Sequence, residues 1–178
     1  MFNFLTKSHQ RKQEAGRLYD EIVSRARQPV FFTDFGVADT LDGRFDMLLF
    51  HAWMVLAELK GAAPAQGLTD AIFTGFDEAM REQGAGDMGI SRKLKAMADA
   101  FYGRMAAYEA AGDEQELAAA LAKNLWRGAP AGRPGDSVVA AAARVLAGYA
   151  LRARQSLRRS LPDGLDFGPL PDLAGPTI

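Results

Sequence analysis

The chain is 178 residues long, 48% hydrophobic and 24% charged, with a net charge of −1 and no cysteine. That length fits a single domain able to bury about 70% of its unfolded surface, and the lack of cysteine excludes disulfides and thiolate metal sites. The near-neutral balance gives no bulk attraction for DNA. The most apolar run, Met47 to Leu59, is broken by His51 and Glu58 and falls short of the about 20 residues a bilayer crossing needs.

Helical periodicity dominates from the start. Ala15, Leu18, Tyr19, Ile22 and Ala26 recur at three- and four-residue steps and predict a first helix from about Ser8 to Arg27, stopped before Pro29. The opening MFNFLTKSHQRKQEAGR holds too short an apolar part for a secretory signal. PVFFTDFGV reads as an aromatic loop whose Phe31, Phe32 and Phe35 pack onto the core. Asp39 or Thr40 can cap the second helix. It is apolar nearly all round, from Phe45, Met47, Leu48 and Leu49 to Trp53 and Leu56, and so is expected to be central and buried. Gly61 and Pro64 mark a loop over Lys60–Gly67, and Leu68, Ile72, Phe76 and Met80 form the face of a third helix. A fourth is expected from Ser91 with Leu94, Met97, Phe101, Met105 and Tyr108, and an alanine-rich fifth over Asp113–Trp126. After RGAPAGRPGD a sixth runs from Asp136 to Ser160. No convincing alternating segment suggests a strand. The expectation is an all-α, single-domain bundle of about six helices over 1–161, with an extended Pro/Gly-rich C-terminal tail over 162–178 that is flexible or loosely draped.

One motif invites a different conclusion. GAGDMG at Gly84–Gly89 fits the dinucleotide-binding pattern, with Arg92, Lys93 and Lys95 close behind. That pattern needs a preceding strand, whereas Phe76–Gln83 has helical period. The glycines therefore read as a turn between helices, with Gly84 as a helix C-terminal residue. The three cations then fall near a helix start, where they oppose the dipole. Pairing with Glu78, Glu82 or Asp87, or a negatively charged partner, would compensate.

Charge is unevenly spread. Asp34–Asp87 holds three basic and ten acidic residues, and Met88–Ile178 twelve basic and nine acidic. Either helices of opposite sign pair within the fold, or two faces of opposite sign orient a partner. His51, on an apolar helix, reads as a hydrogen-bonded histidine of the core or its rim. DTLDGRFD brings Asp39, Asp42 and Asp46 close in sequence. A metal-dependent enzyme using these carboxylates is one alternative reading, although they more simply stripe a helix start. The sixth helix, with Arg144, Arg152, Arg154, Arg158 and Arg159, offers another, a peripheral membrane or RNA-binding module. Seven methionines, Met47, Met54, Met80, Met97 and Met105 among them, suit core filling or an adaptable apolar groove.

Several stretches in order carry a resemblance: Tyr19, Arg25–Pro29, Asp39–Asp46, Arg81–Asp87 with Lys93 and Lys95, and Phe101–Arg104 with Tyr108. Together they resemble the ubiquinol–cytochrome c chaperone family over roughly residues 15–150. The resemblance implies an all-helical, non-enzymatic assembly chaperone with no cofactor and no small-molecule substrate. Its partner would be cytochrome b, with peripheral contact to membrane or ribosome. Mitochondrial members act with a small partner protein; this chain lacks their long targeting extension and looks like a bacterial relative, cytoplasmic or peripheral at the inner membrane. The residues expected to frame the client site are Asp42, Arg44, Asp46, Arg92, Lys93, Lys95, Arg104 and Tyr108.

Overall fold

The computed structural model describes residues 2–82, 87–127, 135–161 and 163–173. These form seven helices and no strand: α1 (Phe2–Ala26), α2 (Val30–Thr33), α3 (Leu41–Glu58), α4 (Ala63–Glu82), α5 (Asp87–Glu109), α6 (Glu114–Leu125) and α7 (Asp136–Ser160). The glycine-rich motif is thus preceded by helix, not strand. Gly84 and Gly86 lie outside the described residues, and Gly89 falls inside the first turn of α5.

α3 is the axis of the bundle, packed by α1, α5, α6 and α7. Its run of buried residues from Leu49 to Val55 leaves no face for water. Ten of its residues, including Asp46 and His51, are buried. Thr40 caps it, its hydroxyl accepting from the Gly43 backbone N–H at 3.2 Å. Gly43 is required there, because a Cβ would lie 1.9 Å from the Ala38 carbonyl oxygen. At the other end Gly61 takes the left-handed conformation, φ 80°, and turns the chain into α4.

The periods of the outer helices explain the rest. α1 buries Ala15, Leu18, Ile22 and Ala26 on one stripe and lies along α4, which offers Leu68, Ile72, Phe76 and Met80. α6 begins at Asp113, whose carboxylate accepts from the Glu116 N–H at 2.8 Å, while the Glu116 carboxylate accepts from Gly112 N–H. It sends Leu117, Leu121 and Leu125 inward against the alanine-rich stripe of α7, where small side chains let the two backbones approach. Leu146 and Leu157 on α7 are fully buried, each contributing about 1.5–3 kcal/mol of apolar transfer.

Four boundaries differ from the sequence reading, the first being α1, which starts at Phe2, six residues ahead of Ser8. The aromatic loop holds one helical turn, α2, which buries Phe31; Phe35 and Val37 follow inward around Gly36, φ 65°. α4 starts at Ala63, so Pro64 sits in a first turn, where its missing N–H costs nothing. α5 starts four residues ahead of Ser91. Beyond α7, residues 163–173 form no helix but lie against the bundle. Phe167 is buried, the Leu165 N–H donates to Glu21, and Arg25 donates to the Gly168 and Pro169 carbonyls.

Candidate functional site

A groove of about 560 Å³ opens between α1, α3, α4 and α5. Its walls are mostly apolar: Val23 from α1, Leu41, Phe45 and Leu48 from α3, Phe76, Ala79 and Met80 from α4, and Ala96 and Met97 from α5. Phe45 and Phe76 meet at 5.0 Å between ring centroids, and Leu41 stands exposed at the rim. Gly75 opens the α1–α4 wall, since a Cβ there would lie 2.1 Å from the Tyr19 hydroxyl. Burial of that phenol raises its pKa, with the nearby Arg27 pulling it back. Charges stand around these walls: Arg27, Asp42, Arg44, Lys93 and Arg127. Arg44 pairs with Asp39 at 2.6 Å.

Beneath the groove lies a buried ion cluster. Asp46 Oδ1 accepts from Arg104 Nη2 at 2.6 Å, and both carboxylate oxygens accept from Arg127 at 3.1 Å. Burial pushes the Asp46 carboxyl above its ordinary value, and the two arginines pull against that shift. Arg104 also lies over the Phe45 ring, 5.6 Å from its centroid, which ties the cluster to the groove wall. Tyr108 is buried beside it, its pKa raised by desolvation. Neither the Tyr108 hydroxyl nor Arg104 Nε finds a hydrogen-bond partner among the described residues.

The residues expected to frame a client site therefore divide. Asp42, Arg44 and Lys93 come together at the groove. Asp46, Arg104 and Tyr108 lie under it, buried. Arg92 and Lys95 are exposed on α5 outside its lining. With α5 starting at Asp87, all three cations sit beyond its first turn, where the dipole penalty fades. The sequence reading did not single out Arg27, Leu41 or Arg127. Arg27 lay in the quoted RARQP stretch, but nothing in local pattern connects Arg127 to Asp46, 81 residues away.

The other candidates disperse. Asp39 pairs outward, Asp42 stays at the rim and Asp46 points into the core, so the DTLDGRFD acids do not converge. Among the described residues no group of three or more histidines and acids could hold a metal ion. His51 is a core residue: Nδ1 meets the Met47 carbonyl at 2.9 Å and Nε2 the Tyr149 hydroxyl at 3.1 Å. Burial holds its pKa down to about 3, so it is neutral. Two acids of the acidic stretch pair with arginines of the basic one. Asp46 takes Arg104 and Arg127, and Glu58 takes Arg154 and Arg158. On α7, Arg144, Arg152 and Arg159 stay exposed. No helix among the described residues is long and apolar enough to cross a membrane.

The family model described as "Ubiquinol-cytochrome C chaperone" matches residues 33–164. The crystal structure of the Cbp3 homolog from Brucella abortus superposes with a TM-score of 0.73 at 35% identity, covering 97% of this chain and 96% of that one. Ubiquinol-cytochrome-c reductase complex assembly factor 1 of Xenopus laevis is 26% identical over 121 residues, 64% of this chain. The alignment spans 60% of that longer relative. The chain belongs to the ubiquinol–cytochrome c chaperone family.

Proposed function

We propose that this chain is a non-enzymatic chaperone that holds cytochrome b before its assembly into the ubiquinol–cytochrome c reductase complex, and that the groove between α1, α3, α4 and α5 is where the client docks. The observation carrying this reading is the groove itself: apolar walls that include Met80 and Met97, open to solvent, with Asp42, Arg44 and Lys93 at their edge. A chaperone for a membrane protein must cover apolar helix without crossing a bilayer. A groove lined by flexible methionines accepts such surfaces in more than one packing. Family membership and the assembly factor from Xenopus laevis support the same reading. Work at the surface of the inner membrane follows from the client. The exposed arginines of α7 are the face that peripheral contact with membrane or ribosome would use.

The site residues need regrouping for the test. Arg104 is buried in the Asp46 cluster, so reversing its charge disturbs the fold before it reports on a client. Arg44→Glu with Lys93→Glu changes only exposed side chains. Affinity capture from membranes of the native host should recover cytochrome b with the wild-type chain. The double variant, with unchanged helicity by circular dichroism, should recover about fivefold less or lower still. Equal recovery by both would remove the groove from the mechanism, and recovery of soluble enzymes in place of cytochrome b would remove the client.

A further inference from the structure

The groove's charge is not balanced. Among the described residues, four basic side chains, Arg27, Arg44, Lys93 and Arg127, open onto it against one acid, Asp42. Arg44 is matched by Asp39. Arg127 shares the Asp46 carboxylate with Arg104, so two guanidinium groups face one carboxylate and the cluster keeps one positive charge. Lys93 and Arg27 form no salt bridge among the described residues. Two further acids, Glu78 and Asp20, act on the Tyr19 phenol, at the wall formed by α1 and α4. Asp42 acts on the Arg127 guanidinium, and among the described residues Lys93 of α5 lines the groove with Arg127, Phe45 and Met97 without an ion pair of its own.

We infer that the groove is built for an apolar helical segment that carries a carboxylate, in preference to an uncharged or basic one. This rests on the reading that the groove holds the client, and it names the chemistry of the segment. A wholly apolar helix would cover the rim cations and strip water from them without return. A lysine-bearing one would add like charge. An Asp or Glu on the docked face would meet Lys93 and the exposed guanidinium of Arg127 and replace the water they lose. The walls are mostly apolar, so one acid among several large apolar residues is the composition that fits.

The test uses the full chain and labelled, end-capped helical peptides with one shared apolar face. One position carries Glu, Gln or Lys, and binding is read by fluorescence anisotropy. The Glu peptide should bind about tenfold more tightly than the Lys peptide, with Gln between them. The spread should narrow several-fold between about 0.05 M and about 0.5 M NaCl. In Arg27→Glu/Lys93→Glu, both exposed positions, the order should invert. Arg27→Gln/Lys93→Gln, with an unchanged melting temperature, should merely flatten it. Equal binding of all three peptides would overturn the inference and leave the groove as a client site. Tighter binding of the Lys peptide would overturn it outright. If no peptide binds, or if phosphatidylglycerol vesicles bind at this face while peptides do not, the inference and the client reading fall together.

Discussion

The two ends of α3 carry the same chemistry in different surroundings. Near its start Asp46 is held by Arg104 and Arg127; at its end Glu58 is held by Arg154 and Arg158. At the Asp46 end one arginine is as buried as the acid, its side chain only 5% exposed. At the Glu58 end the arginines are 20% and 62% exposed. Burial decides the direction of titration: the Asp46 carboxyl is pushed up, whereas at Glu58 the pull of Arg158 and Arg154 overcomes desolvation and the carboxyl is lowered. The first cluster supports the groove wall through Arg104 and Phe45. The second fastens α7 to α3, with Arg154 also stacked over Trp53. An acid clasped by two arginines is thus a different device at each end of one helix.

The sharpest way to break this contrast is to remove each acid. Asp46→Ala leaves Arg104 buried without its counter-charge and should cost about 3–5 kcal/mol in urea unfolding. Glu58→Gln keeps the shape and leaves partly solvated arginines, and should cost about 1–2 kcal/mol. Equal losses would show that the two ends are energetically alike.

Between them His51 supplies an internal reference. Its folded pKa of about 3 lies below the ordinary 6.5, so the unfolded chain binds the proton first. The His51 contribution to stability is complete above about pH 6.5 and should fall as pH drops toward 3, by up to about 1.4 kcal/mol per pH unit. His51→Gln should flatten that slope in thermal melts between pH 6.5 and 5. A slope unchanged in the variant would place the acid sensitivity elsewhere. Glu58 acts lower down: its contribution is present above the ordinary carboxylate value and lost as pH falls through the depressed folded one. The smallest effect belongs to Arg158→Ala, an exposed partner, whose urea midpoint should stay within the scatter of the unaltered chain. A larger loss would mean that the Glu58 cluster behaves as a buried one.

Much of this architecture is legible in the amino-acid sequence. The apolar circumference of α3 and the one-sided stripes of α1, α4 and α7 specify a helical bundle with α3 inside. The alanine-rich run placed α6 to within a residue at each end, and in the structure Asp113 and Glu116 close its start locally. The starts of α4 and α5 were less legible, since Pro64 and Gly89 read as breakers yet sit in first turns, where breaking residues are tolerated. The lining of the candidate groove was half legible. Asp42, Arg44 and Lys93 lie beside apolar stripes and stay near the surface. Asp46 and Arg104 looked the same on paper, but their partners are 58 and 81 residues away in sequence, and periodicity carries no information at that range.

The strap after α7 carries one more consequence. Phe167 lies 5.5 Å from the His51 ring, and Arg25 both donates to the Tyr149 hydroxyl and grips the backbone at Gly168 and Pro169. Residues 163–173 therefore lie as a cover over the imidazole. A polypeptide halted just after α7 would keep the seven described helices yet lack that cover, and its histidine would take up a proton at a milder acidity than in the longer chain.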